Sequence, residues 1–279
     1  MSIESVSVII PCYNRKVFVE KAIRSVLEQT YGNFECLVID DGSDDGTVQH
    51  LQKIFKDERL KIIQKEHGGV SSARNLGIRS SRYSLLAFLD SDDAWEKRKL
   101  EKQVALMKNH PDILLSHTEE IWFRNGKHLN QMDKHKKSGG FIFERCLELC
   151  CIGMSTMMCQ KKMFDEIGLF REDFPACEDY ELFLRLCTKH EVLFLDTPLT
   201  IKQGGHADQL SRQPRLDKYR IQALQLLLEA GELTPEQRVK TLDEMQKKCY
   251  IYGKGCLKHG RTVEGQHILS LSDDFKRKT

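Results

Sequence analysis

The sequence predicts an α/β chain built on a mainly parallel sheet, and three observations lead there. Apolar strand-like runs alternate with segments of helical spacing through the first third of the chain. Two of these runs end abruptly in carboxylates, at Asp40-Asp41 and at Asp90-Ser91-Asp92-Asp93. The connections are long enough for right-handed helical crossovers, which collect ligand chemistry at the strands' carboxyl ends. Beyond Arg215 only helical texture remains, so the expected division is residues 1–212 and a C-terminal helical region, 213–279.

The first cycle opens with Val6-Ser7-Val8-Ile9-Ile10, a strand signal stopped by Pro11, followed by the polar loop Cys12-Tyr13-Asn14-Arg15. Val19, Ala22, Ile23, Val26 and Leu27 then fall at helical spacing, and Gly32 ends the pattern. Residues 34–39 form the second strand and run into Asp40-Asp41-Gly42-Ser43-Asp44-Asp45-Gly46-Thr47. Asp41, Ser43, Asp45 and Gly46 match the opening of a calcium loop, but its twelfth position is Gln52, and a strand precedes it where a helix belongs. Asp44 or Asp45 capping the next helix explains part of the loop, and carboxylates at a strand end can also accept hydrogen bonds from a nucleotide's base or ribose. Val48, Leu51, Ile54 and Phe55 mark the next helix, and residues 60–63 the third strand.

His67-Gly68-Gly69-Val70-Ser71-Ser72-Ala73-Arg74-Asn75 follows. Its glycines let backbone pass close to a ligand, Ser71 or Ser72 is expected to cap a helix whose amino end favours an anion, and Arg74 and Asn75 in the first turn could bond a ligand, although a lone Arg there is more often surface than site. The spacing is neither a P-loop nor G-x-G-x-x-G, which removes the main support for nicotinamide or flavin binding. The buried run 85–89 then ends in Asp90, Asp92 and Asp93, which stay ionised together only beside a counter-charge or water, with a divalent cation the obvious candidate. Alternation along an extended chain turns Asp90 and Asp92 to one side, leaving Asp93 to cap a helix from Glu96 onward.

Residues 113–117 and 119–124 read as strands, Asn125-Gly126 as a hairpin turn and 141–151 as a helix. Residues 153–158 are small and apolar enough to line a pocket, or simply to pack. Glu178 and Asp179 open a helix, where the dipole favours acids in any case. Asp179, Leu182, Phe183 and Leu186 are spaced i, i+3, i+4, i+7, so Asp179 ends the buried stripe, and a partly desolvated carboxylate is a candidate general base. Residues 192–196 make a last core strand. The loop after it holds His206 among glycines, able to fold over the carboxylate cleft and complete a metal shell.

With 43 basic and 41 acidic residues, the chain gives no support for a nucleic-acid binder working by phosphate neutralisation. Ten cysteines without a C-x-x-C pair, behind a Met1-Ser2-Ile3-Glu4 start that lacks a basic or apolar leader, suggest reduced thiols in the cytoplasm. Any membrane contact is expected to be peripheral.

In order, the motifs VSVIIPCYNR (6–15), VIDDGSDDGT (38–47), GVSSARNLGI (69–78), FLDSDDAW (88–95) and Glu178-Asp179-Tyr180 resemble the nucleotide-sugar-dependent glycosyltransferases of family 2, with the GT-A fold. The resemblance covers roughly residues 5–212. It implies that Pro11, Tyr13 and Asp41 hold the nucleoside, with Asn14, Gly69, Arg74, Asn75 and Ser91 in the same nucleotide-sugar site. It further implies that Asp90 meets the ribose side, that Asp92 ligates Mg²⁺ or Mn²⁺ on the diphosphate, and that Asp179, beside Glu178, is the base of an inverting transfer. His206 resembles the family's late histidine. A UDP-sugar is the first-choice donor, and the acceptor is a carbohydrate or glycolipid. A sugar-phosphate nucleotidyltransferase would need a Gly-rich phosphate loop where Pro11-Cys12-Tyr13-Asn14-Arg15 stands. A receiver domain would place its acidic pair after the first strand. A non-enzymatic relative would not need both Asp92 and Asp179.

Overall fold

A computed structural model describes residues 4–205 and 214–277. The chain divides into two compact units, Met1–Ile142 with Cys151–Pro175 and His190–Ala207, and Phe143–Cys150 with Ala176–Lys189 and Asp208–Thr279.

The first unit begins with β1 (Val6–Cys12), α1 (Lys16–Leu27), β2 (Phe34–Asp40), α2 (Thr47–Ile54), β3 (Leu60–Gln64), α3 (Val70–Ser80) and β4 (Leu85–Phe88). It continues with β5 (Ala94–Trp95), α4 (Lys99–Asn109), β6 (Leu115–Arg124), β7 (Lys127–Leu129), β8 (Met158–Gln160), α6 (Met163–Ile167) and β9 (Leu193–Gly204); the intervening α5 (Phe143–Glu148) belongs to the second unit. Among the described residues one mixed sheet runs β3-β2-β1-β4-β8-β6-β9-β5, with β7 paired to β6. The first four strands are parallel, as the alternation predicts. Val8, Ile10, Val19, Ile23, Val38, Leu51 and Leu100 share one buried cluster, so α1, α2 and α4 cover one face. Each such side chain contributes about 1.5–3 kcal/mol through burial. On the other face α3 lies so close that a Cβ on Gly77 would stand 2.5 Å from Ile9 Cγ2.

Several local expectations change. Strand β1 runs through Pro11, because the Ile9 carbonyl faces β4 while that of Cys12 faces β2. Pro11 therefore turns toward the β4 side, where pairing has ended at Ile9 and no amide is required. Residues 113–124 hold one strand, β6, and the Asn125-Gly126 hairpin forms with both residues at positive φ, 51° and 75°. Strand β9 extends to Gly204, past the expected end at Asp196: Pro198 sits opposite Glu119 at an irregularity, after which pairing resumes from Thr200 to Gly204. Residues 200–204 are thus strand and not the start of a loop over the cleft. The helix after Asp93 begins only at Lys99, following β5, and that of 141–151 shortens to Phe143–Glu148.

The second unit holds α5, α7 (Glu178–Cys187), α8 (Leu216–Glu229), α9 (Pro235–Lys258) and α10 (Thr262–Arg277). Helix α7 buries Leu182, Phe183 and Leu186, and the Tyr180 hydroxyl donates to the Leu147 carbonyl at 2.7 Å. Thr234 and Gln237 close a capping box on α9.

Candidate functional site

Because β1, β2 and β4 are parallel neighbours, their carboxyl ends deliver Pro11 to Arg15, Asp40 to Thr47 and Asp90 to Asp93 to the same end of the strands. The first two loops are joined by Asn14, in the left-handed region at φ 51°. Its Nδ2 donates to Asp44 Oδ1 at 2.9 Å, its Oδ1 accepts the Asp44 amide at 3.0 Å, and its own amide donates to Ser43 Oγ. Asn tolerates this conformation because its short polar side chain bonds locally. Tyr13 remains exposed and stacks on His67, ring centroids 4.1 Å apart.

Asp41 is buried and occupied. Its Oδ1 accepts from Lys65 Nζ at 2.6 Å and the Gly68 amide at 3.0 Å; its Oδ2 accepts the Gly69 amide at 2.8 Å and lies 2.9 Å from His67 Nδ1. The carboxylate thereby shapes residues 65–69. Gly69, at φ 89°, takes the cap position of α3, and no side chain caps that helix, which corrects the assignment to Ser71 or Ser72. A positive φ at the chain's entry into the helix suits glycine alone. Asp45 Oδ1 accepts the Thr47 amide at 2.9 Å, although Gly46 holds the cap position of α2.

Arg74 and Asn75 are both buried. Arg74 Nη2 donates to Asp90 Oδ1 at 2.8 Å, which ties α3 to the end of β4. Asn75 Nδ2 donates to the Phe170 carbonyl and to Glu172 Oε1, and its Oδ1 accepts the Phe170 amide, so its polar atoms serve the 170–172 segment.

The chain from Asp90 to Asp93 is a turn, closed by the Asp93 amide donating to the Asp90 carbonyl at 3.1 Å, so strand alternation does not govern it. Asp90 and Asp92 are half-buried, and Ser91 is buried. Asp93 caps no helix. It points inward, accepting Ser155 Oγ–H at 2.6 Å and the Gln203 amide at 3.0 Å. Burial pushes its carboxyl up to about 8 against the pull of Lys202, with Asp92 and Asp90 adding to the rise. Ser155 also accepts the Asp90 amide at 3.1 Å. Its carbonyl accepts from Trp95 Nε1 and Thr200 Oγ1, at 2.8 and 3.0 Å. Behind this turn the wholly buried Lys99 lies 4.4 Å from the Trp95 ring centroid, donates to Gln103 and Thr156, and is held well below the usual lysine range by burial.

Lys65, His67, Ser155, Lys202 and Gln203 were not singled out as site residues by the sequence. His67 carries a signal in the adjoining glycines; Ser155 lies in a run that packing explains equally well.

Glu178 and Asp179 belong to the second unit. Glu178 is buried and Asp179 half-buried, so the deeper carboxylate of the pair is the one off the predicted stripe. Asp179 Oδ2 accepts from Cys150 Sγ at 3.2 Å and Oδ1 accepts the Tyr180 amide at 2.7 Å. Among the described residues no group of three or more His, Cys, Asp or Glu converges as a metal cage. His206 lies outside the described residues.

The profile of glycosyl transferase family 2 matches residues 7–168. An uncharacterized glycosyltransferase of Rickettsia conorii is 37% identical over 196 residues, 70% of this chain but only 32% of that relative, so the chain spans about a third of its length. The Escherichia coli UDP-Glc:alpha-D-GlcNAc-diphosphoundecaprenol beta-1,3-glucosyltransferase WfgD is 33% identical over 189 residues, 67% of this chain and 71% of that enzyme. The structure of S. aureus TarS residues 1–349 with UDP-GlcNAc superposes with a TM-score of 0.75 at 19% identity, covering 97% of this chain and 80% of that one, and shows the same α/β fold. With more than half of its length inside the family profile, the chain belongs to glycosyl transferase family 2.

Proposed function

We propose that the protein transfers a sugar from a nucleoside-diphosphate sugar, with UDP as the nucleotide, to a hydroxyl of a carbohydrate or glycolipid acceptor in bacterial surface polysaccharide synthesis. The observation that carries this reading is the gathering of three acidic and polar loops at the carboxyl ends of β1, β2 and β4, where open α/β sheets bind ligands. The names of relatives support the substrate class: WfgD is named for a UDP-glucose donor and a diphosphoundecaprenol-linked acceptor, and a Bacillus subtilis relative, 33% identical, for teichuronic acid biosynthesis.

Residues 1–212 would carry the chemistry and 213–279 flank it. Tyr13, with His67 stacked on it, would offer the base a platform, while Asp41 keeps the 65–69 backbone in place and Asp90, held by Arg74, meets the ribose. The donors suit a hard cation: the half-buried carboxylate of Asp92, next to Asp90 in one turn, would supply one of the few protein ligands that Mg²⁺ or Mn²⁺ needs where phosphate oxygens and water are also available. His206 would add a nitrogen. When bound, the ion would neutralise charge developing on the departing diphosphate. Asp179, its oxygens oriented by Cys150 and the Tyr180 amide, would take the acceptor hydroxyl's proton as that oxygen attacks the anomeric carbon; a single displacement inverts the configuration. An acceptor on a lipid would bring the protein to a membrane surface, and among the described residues no helix is long and apolar enough to cross one.

A thermal-shift screen of UDP-, GDP- and dTDP-sugars with and without Mn²⁺ tests this, since a ligand bound only by the folded state raises the melting temperature. The reading predicts a Mn²⁺-dependent rise with a UDP-sugar. No rise with any nucleotide sugar would contradict it.

A further inference from the structure

A cavity of about 280 Å³ opens beside the outer half of β6 and the β7 hairpin, lined among others by Glu119, Trp122, His128 and Gln131. The indole of Trp122 is half-buried and held in orientation: its Nε1 donates to the buried Glu120 Oε1 at 2.7 Å, and the His135 ring lies 4.9 Å from its own. Glu120 is itself anchored by Lys137 Nζ at 3.4 Å. Gln131 Nε2 donates to the Glu120 carbonyl at 2.7 Å, which fixes the opposite wall to the strand.

Shared strand pairing relates the cavity to the acidic turn. Ile201 of β9 pairs with Ala94 on one side and with Ile121 on the other. Two strand spacings, about 10 Å, therefore separate the end of the Asp90–Asp93 turn from the strand that carries Trp122. Lys202 stands between them, its charge felt by both Asp93 and Glu120.

We infer that this cavity is a pyranose subsite for the acceptor, with Trp122 as its stacking platform. An immobilised aromatic ring offers a flat apolar face to the C–H side of a sugar, and such a face combined with polar rim groups is what an amphipathic ligand requires. Glu119, His128 and Gln131 supply acceptors and donors for hydroxyls. The volume, just below the usual range for drug-sized ligands, suits a single ring. The assignment of this sugar as acceptor rests on the proposed transferase function; the binding of a pyranose does not.

Saturation-transfer NMR with methyl α-D-glucopyranoside and methyl N-acetyl-α-D-glucosaminide, run alongside UDP with Mn²⁺, tests the inference. The wild-type protein should transfer saturation to at least one glycoside. Trp122→Ala should weaken that binding by about tenfold or more, as loss of an aromatic anchor does, with UDP binding unchanged and Trp122→Phe retaining most of it. His128→Ala, at an exposed position, gives a second loss variant that leaves the core intact. Equal glycoside signals from wild type, Trp122→Ala and His128→Ala, or none from the folded wild-type protein, would overturn the subsite. Absent UDP binding with the glycoside signal intact would instead count against the donor reading.

Discussion

Ser155 Oγ donates its hydrogen to Asp93 Oδ2 over 2.6 Å and itself accepts the Asp90 amide at 3.1 Å. One hydroxyl thus holds both ends of the turn that carries Asp92. Ser155→Ala should remove about 1–3 kcal/mol of stability, because a buried polar group loses its partner. It should also weaken Mn²⁺-dependent UDP binding, both readable by denaturant titration and calorimetry. Unchanged stability and affinity would show that the turn holds its shape without this serine.

The contact between α3 and β1 is set by the hydrogen on Gly77, since a Cβ there would meet Ile9 Cγ2 at 2.5 Å. Gly77→Ala should lower the urea midpoint by the equivalent of about 1–3 kcal/mol through overpacking. A gain in stability, as expected for alanine in an unconstrained helix, would refute the close approach.

Glu35 is buried between Ser7 Oγ at 2.8 Å, Lys61 Nζ at 2.9 Å and the Arg82 amide at 2.8 Å. Burial pushes its carboxyl up, but these donors together hold it below its ordinary value. A folded-state value depressed in this way contributes stability that is present above the unfolded value, near 4.5, and is lost as pH falls through the folded one. Glu35→Gln should therefore destabilise the protein at neutral pH, with the gap to wild type closing as the pH falls below that unfolded value and through the folded one. A constant gap across that window would contradict the linkage.

Asp92→Ala should weaken UDP binding when Mn²⁺ is present and leave metal-free binding unchanged. Isothermal titration with and without the ion checks this, and equal affinities under both conditions in the wild type would remove Asp92 from the metal's shell.

Strands β1, β2 and β4 are readable from the chain because each is a mostly apolar run, buried on both faces and interrupted only by Ser7 in β1 and Glu35 in β2, that stops at polar or acidic residues. The outer half of β9 is not: Lys202, Gln203 and Gly204 have loop composition, and they become strand only because β6 offers a parallel partner beyond the irregularity at Pro198. The inward aim of Asp93 was hidden for a related reason. It depends on Ser155, 62 positions away, and on Gln203, 110 away, and no local pattern encodes such ties. Asp41 read as a ligand contact from its place at a strand end, while its four close partners come from residues 65–69. Local chemistry could identify which residues matter there but not which groups already occupy them.

The proposed transfer mechanism is tested most directly by Asp179→Asn, assayed for sugar transfer to a carbohydrate or glycolipid acceptor from the UDP-sugar that raises the wild-type melting temperature and, in parallel, for Mn²⁺-dependent UDP binding. Loss of a general base should slow transfer by about a hundredfold to ten-thousandfold while UDP affinity stays near that of the wild type. Transfer at the wild-type rate by Asp179→Asn would contradict the account.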